Sequence, residues 1–297
     1  MRLVVPTIQN TGGPQKRVNI SYSRKWPRYK PKGETGPVAI CAAGPSLQSQ
    51  LPTLRRLVAD GVPVCAVKGV EKYLREHGIP VKYAVFMDAK PDQVRFVTEP
   101  QKGTTYLLAS QCDPSLYDAL DGYDIQVWNG SDPEFHEPGE DYITGGGTTG
   151  IRAINLMRWT GYKGLHLFGF DCCLIDDQSH VYAKDQIGDR ITVYVNGKKF
   201  ITTGELAAQH QQMLECLYLP PFRPAICVHG EGALYESTKE FLKERPNLDN
   251  IFMQMNAEDV PKGGKVFHSA DEVKKFLKEN EEDQIFANEV MKLLGAA

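Results

Sequence analysis

From Pro37 onward the chain alternates short apolar runs with longer segments whose apolar positions recur at helical spacing. The runs are "PVAICAA", "VPVCAV", "KYAVFMD", "TTYLLAS", "YDIQVW", "KGLHLFGFD" and "RPAICVHG". Between them, "SLQSQLPTLRRLVADG" reads as a helix ending at Gly61 and "EKYLREHG" as a short one closed by Gly78. "DPSLYDALDG" and the segment from about Thr149 to Trp159 are two more. Seven strands alternating with helices predict an α/β fold, a mainly parallel sheet with helices on both faces.

Two features break the rhythm. "RITVYVNGKKFITTG" places Asn196-Gly197 between two β-rich runs, the strongest short hairpin signal. The next segment opens with Thr202 and Glu205 in capping-box spacing and reads as a helix. Residues 190–219 are therefore expected to form a hairpin-helix insertion over one end of the sheet. Near the C-terminus Ser269 and Glu272 make another capping box, and "DQIFANEVMKLLG" reads as a last helix. The expected organisation is a basic arm at 1–36, the α/β domain at 37–268, and a helical extension at 269–297.

Charge separates the arm from the rest. Residues 1–33 hold eight Lys or Arg and no acid, whereas the whole chain is net −3. Within "RKWPRYKPKG" the cations interleave with Trp26 and Tyr29. That pattern suits single-stranded nucleic acid or a nucleotide, although an arm packed across its own domain or another subunit is the commoner outcome. No apolar run approaches the roughly 20 residues that cross a bilayer, and the first residues lack the apolar core of a secretory leader. Cys41, Cys65 and Cys227 sit in β-rich runs, so buried, reduced thiols and a cytoplasmic location are expected. The vicinal Cys172 and Cys173 make no CxxC, and no Cys or His cluster of zinc spacing follows them.

Ligands of open α/β sheets sit beyond the carboxyl ends of the strands. The residues found there are Gly44-Pro45-Ser46, Asp88, Asn129, Asp171 with His180 a few residues on, and His229 with Glu231. The "GPS" turn reads either as a helix start capped by Ser46 or as amides offered to a phosphate or ribose. Asp88 reads as a helix cap or as a carboxylate for Mg²⁺ or a ribose hydroxyl. Gly145, Gly146 and Gly147 run into Thr148, Thr149 and a helix, which fits either a flexible loop or a phosphate cradle. His180 is either a plain surface residue or a general acid or base, with His229 and Glu231 weaker candidates of the same kind. There is no GxGxxG, Walker loop or GxSxG elbow, so a dinucleotide dehydrogenase, P-loop kinase or serine hydrolase is poorly supported.

Taken in order, "CAAGPSL", "FMDAKP", "ITGGGTTGIRAINLMRWTGYKGLHLFGFDCCLIDDQSH" and "VHGEGALY" resemble the MptE-like (6-hydroxymethylpterin diphosphokinase-like) Rossmann-type family. The order is also similar to that in motility accessory factors linked to flagellin glycosylation and in bacterial sialyltransferases that use CMP-sugars. The resemblance spans roughly residues 37–235. It implies a nucleotide-side turn at Gly44, Pro45 and Ser46, an acid at Asp88, and a glycine-rich helix start at Gly146, Gly147 and Thr148. It further implies the acid and histidine pair Asp171 and His180. The cysteine pair, the NG hairpin and the basic N-terminal segment depart from the pattern.

The expected activity is a transferase with a nucleotide-activated donor, foremost a glycosyltransferase using a nucleotide sugar. His180 would be its proton-transfer group and Asp171 the residue positioning it; Asn129 and the glycine-rich loop would help hold the nucleotide. A modified nucleic-acid base is one conceivable acceptor. The alternatives are an Mg²⁺/ATP pyrophosphokinase, with Asp88 and Asp171 on the metal, and a non-catalytic nucleotide-binding module.

Overall fold

The computed structural model describes residues 13–31, 33–130, 140–143, 145–182, 189–218 and 225–244. The expected helices of 269–297 lie outside the described residues. In chain order the elements are α1 (Gly13–Ser23), β1 (Pro37–Cys41), α2 (Ser46–Ala59), β2 (Val64–Val67), α3 (Val70–Glu76) and β3 (Tyr83–Phe86). A 3-10 turn (Pro91–Phe96) leads to β4 (Thr105–Ala109), α4 (Pro114–Ala119), β5 (Asp124–Gly130) and β6 (Tyr142–Ile143). Then follow α5 (Thr149–Thr160), β7 (Gly164–Phe168), β8 (Arg190–Val195), β9 (Lys198–Thr203), α6 (Gly204–Tyr218), β10 (Ala225–His229) and α7 (Ala233–Glu244).

Eight strands form one parallel sheet in the order β10-β7-β1-β2-β3-β4-β5-β6. Strands β2, β3 and β4 are buried along their whole length, which is why their sequences read as unbroken apolar runs rather than alternating ones. Alternate residues serve opposite faces. Val38 and Ile40 pack in the core that includes Ile151, Ile154 and Met157 of α5. Ala39 and Cys41 pack with Leu47, Leu51 and Leu54 of α2, spaced to lie on one helical face. Each fully buried leucine there contributes about 1.5–3 kcal/mol.

The chain winds from β1 outward to β6, then crosses back so that β7 pairs with the other side of β1. The strand order reverses between β1 and β7. A crevice at the carboxyl ends of that pair is where open α/β sheets bind their ligands.

The antiparallel hairpin β8-β9 turns at Asn196 (φ +48°) and Gly197 (φ +74°), as the NG signal predicts. It is fastened beside the end of β7 by Leu174 N–H to Ile201 O (2.8 Å) and Thr202 Oγ1 to Cys172 O (3.1 Å). The capping expectation shifts by one residue. Thr202 is buried in β9, and Thr203 Oγ1 accepts from Leu206 N–H at the start of α6.

The described part of the basic arm, from residue 13 on, packs on the domain. Pro27 O accepts from Val127 N–H (2.9 Å) and Tyr29 N–H donates to Val127 O (2.8 Å), so the arm pairs along β5. Tyr29 is buried and shares a hydrogen bond with Thr160, and Trp26 lies 4.6 Å from the Tyr117 ring. Helix α1 is pinned by the fully buried Asn19, whose amide donates to Gln111 O (2.9 Å). Two further expectations are corrected here. Ser46 is no cap: Pro45 precedes the helix without a capping side chain, and Ser46 is the first helical residue. Cys227 is exposed rather than buried, because β10 is the end strand of the described sheet.

Candidate active site

Asp171 follows β7 and is buried (4% exposed). Its carboxylate accepts from Ser46 N–H (2.9 Å) and from Ser46 Oγ–H. The "GPS" turn is thereby tied to the end of β7, across the place where the strand order reverses. The approach is too close for side chains. A β-carbon on Gly44 would stand 2.5 Å from Gly169 O and 2.6 Å from Asp171 Oδ2, and one on Gly232 2.5 Å from Asp171 O. Burial raises the Asp171 carboxyl above its usual range, the two Ser46 bonds oppose that, and nearby Glu231 adds to it. Through Ser46, Asp171 pins the first turn to the end of β7.

Above this knot lies a cavity of about 160 Å³. Gly44, Lys68, Thr148, Thr149, Asp171 and His180 are among the residues lining it. It continues into a wider cleft of about 1000 Å³. Lys68, Ser179, His180, Tyr182, Leu206 and Gln209 line both chambers, so the two are neighbours along one groove. Val181 N–H donates to Ala43 O (2.8 Å), which holds the His180 segment over the first turn. His180 Nδ1 lies 2.8 Å from Ser179 Oγ and its ring 5.7 Å from that of Tyr182. Helix α6 supplies the roof through Leu206, Gln209 and Met213.

The start of α5 forms one wall. Thr148 is the N-cap, its hydroxyl accepting from Ile151 N–H (3.3 Å). Thr149 is 3% exposed, and its Oγ1 is buried with no hydrogen-bond partner among the described residues. The first amides of a helix have no carbonyl within it to meet, and those of Thr149 and Gly150 donate to no atom of the described residues. Two of the preceding glycines pack closely on the helix they lead into. Gly145 (φ +88°) and Gly146 (φ +70°) need left-handed backbone, and their missing β-carbons make room for Asn155 and Ile151 of the same helix. Gly147 N–H is taken by Gln212 Oε1 of α6 (2.9 Å). None of the three lines either chamber; Thr148 and Thr149 do.

Asp88 lines the wider chamber and is ion-paired with Lys68. The pattern reading missed Lys68, since a lone lysine after a strand carries no signal. It occupies the left-handed region (φ +54°), which a side-chain-bearing residue adopts at a cost of about 1–3 kcal/mol and which clusters at ligand sites. Lys72, Lys90 and Arg95 add cations to the same chamber, and Asp92, Glu76 and Glu205 balance them. Cys172 and Cys173 line the smaller chamber, but burial raises both thiols, that of Cys173 to about 11, so neither is a thiolate at neutral pH.

Besides the three glycines, Pro45, Ser46, Asn129, His229 and Glu231 also fall outside both chambers. Asn129 sits in β5 paired with Tyr142 of β6, and its amide reaches Asp141 O (3.4 Å). Glu231 lines neither chamber, and His229 lies flat on Phe168 (4.2 Å, 2°) and 3.0 Å from His166. Burial, with the His166 ring beside it, lowers His229 to about 4. Position after a strand was not enough to bring these residues in. Asn129 is four strands from the reversal, and the His229 ring turns onto a face of the sheet.

A sequence model of the family described as 6-hydroxymethylpterin diphosphokinase MptE-like matches residues 18–177, more than half of the chain. The chain belongs to the MptE-like family. The match begins inside α1, so part of the arm that seemed a departure falls within the family's span. Among solved structures, the MAf glycosyltransferase from Magnetospirillum magneticum AMB-1 superposes with a TM-score of 0.56 at 16% identity. The alignment covers 83% of this chain and 43% of that one, so the chain spans less than half of that neighbour. At this identity the likeness is one of fold. No curated protein matches the sequence. Among the described residues no helix is long and apolar enough to cross a membrane. Family membership supports a nucleotide-related transferase.

Proposed function

We propose that this chain transfers a group from a nucleotide-activated donor, and that the donor is a nucleotide sugar. One observation carries the reading. At the reversal between β1 and β7, the buried Thr149 hydroxyl meets no hydrogen-bond partner among the described residues and stands beside the Thr149 and Gly150 amides at the start of α5, which likewise meet none there. Such a helix start is a ready anion site, and a phosphate oxygen would satisfy the orphaned hydroxyl.

The donor's phosphates would lie against Thr149 and Gly150, with the Lys68 ammonium facing the leaving oxygen. His180, shared by both chambers, stands where donor and acceptor would meet. In the transfer the acceptor oxygen bonds to the anomeric carbon as the carbon–oxygen bond to phosphate breaks. The electron pair leaves with the phosphate, and His180 takes the acceptor's proton. Asp171 supports this indirectly by fixing the first turn. The wider chamber under α6 would receive the acceptor. The arm's aromatic rings are spent on its own domain, which weakens the case for stacking a nucleic-acid acceptor there.

The diphosphokinase reading draws on the family description and on Asp88 and Asp92 in the wider chamber, whose carboxylates would hold Mg²⁺. Lys68 already neutralises Asp88, which favours the metal-independent reading. The test is nucleotide release from UDP-, GDP-, CMP- and dTDP-sugars and from ATP, with and without Mg²⁺, by the chain and by His180→Ala. Metal-independent release from one sugar donor, lost in the variant, is expected. AMP release from ATP only with Mg²⁺ would replace this reading with diphosphate transfer. Nucleotide binding without turnover, indifferent to the variant, would leave a binding module.

A further inference from the structure

A second cluster of polar side chains lies away from the cleft. Strand β7 reads "GLHLF", and His166 is the one polar side chain in a run that is otherwise apolar. Interior strands of parallel sheets are normally apolar throughout, and departures from such a rule concentrate at functional positions. The ladder places His166 beside Ala39 of β1 and Cys227 of β10, and Phe168 beside Cys41 and His229. Ala39, Cys41 and Phe168 belong to the core beneath α2. Alternation then puts His166, Cys227 and His229 on that same face, at the β10 end of the described sheet.

Their donor atoms converge. His166 Nδ1 and His229 Nε2 are 3.0 Å apart, and with Cys227 Sγ all three lie within 4.8 Å of one another. A tetrahedral zinc ion with bonds of about 2.0–2.3 Å sets its donors about 3.3–3.7 Å apart. Small side-chain rotations would therefore close the three atoms around one ion. The His229 ring is steadied by stacking on Phe168, as a preorganised ligand would be. Linear spacing concealed the cluster, because the strands that bring it together are far apart in sequence and adjacent only in the sheet.

We propose that His166, Cys227 and His229 form a binding site for a zinc-class divalent cation, with a fourth position left for water or an added ligand. Two imidazoles and one thiolate suit that class and disfavour Mg²⁺ and Ca²⁺, which take oxygen. Exposed Cys227 gives the ion a route in from solvent. The proposal does not depend on the transferase reading.

The test is a Co²⁺ titration of the reduced, chelator-stripped full chain. One equivalent should give thiolate-to-cobalt charge-transfer absorption with tetrahedral visible bands, both displaced by Zn²⁺. Cys227→Ser, at an exposed position that should keep the fold, is expected to abolish the charge-transfer absorption. His166→Ala should weaken Co²⁺ at least about tenfold, the loss expected from removing even an outer partner of a metal ligand. Circular dichroism of each variant checks that it is folded. A cobalt spectrum that stays octahedral, or a charge-transfer band that survives Cys227→Ser, would overturn the assignment.

Discussion

Replacing Thr149 by valine separates a hydroxyl kept for a ligand from one kept for the fold. Thr149 is 3% exposed and its oxygen has no partner among the described residues. A buried polar atom left unpaired costs about 1–3 kcal/mol, and replacing it with an apolar group of the same shape removes that cost. Thr149→Val should then stabilise the ligand-free protein by about 1 kcal/mol, raising its melting temperature by roughly 2–4 °C in a chain of this size. The same change deletes a hydrogen bond to a charged phosphate, worth about 1.5–3 kcal/mol. Nucleotide affinity should fall roughly 10- to 150-fold. Thermal melting and calorimetric titration of the same preparation read both effects. A variant that melts lower and binds as before would show that the hydroxyl serves the fold, and the argument for a phosphate cradle would fail.

Other changes bear on separate parts of the account. Gly44→Ala drives a β-carbon to 2.5 Å from a backbone carbonyl and should destabilise by about 3 kcal/mol or more, measured by urea unfolding. Trp26→Ala should cost about 2 kcal/mol, less than a fully buried tryptophan because the ring is partly covered. If it instead leaves stability unchanged and lowers oligonucleotide affinity, the arm is a nucleic-acid surface. Burial holds His210, hydrogen-bonded to Ser237 between α6 and α7, below its ordinary 6.5. The unfolded chain takes up that proton first, so this contribution to stability is complete above about pH 6.5 and falls away as the pH drops below it. His210→Gln should flatten that part of a stability–pH curve, and an unchanged slope would assign it to other groups.

The parallel sheet was readable because burial on both faces leaves a strand no polar alternation to confuse with a helix. The hairpin was readable because Asn196 and Gly197 accept positive φ where few residues do. Helix α1 was not, since its buried residues are Asn19 and Ser23, polar side chains that no hydrophobic period can register. Strand β6 has two residues, too few for any pattern. At the site, the sequence pointed to Thr149 and His180 through their place after glycines and after a strand. For Gly145 and Gly146, whose missing β-carbons make room for Asn155 and Ile151, sequence alone does not separate a glycine that admits a ligand from one that admits its own helix. The bond between Ser46 and Asp171, 125 residues apart, and the pairing of Lys68 with Asp88 exist only once the strands are side by side.

The central claim is that a nucleotide binds at the reversal between β1 and β7. Hydrogen exchange of the full chain with saturating UDP, GDP, CMP, dTDP or ADP tests it most directly. One of these should slow exchange in peptides covering 42–46 and 149–151, where the open amides of Thr149 and Gly150 would become bonded, and leave β4 to β6 unchanged. Protection confined to other regions, or none with any of the five, would contradict the account.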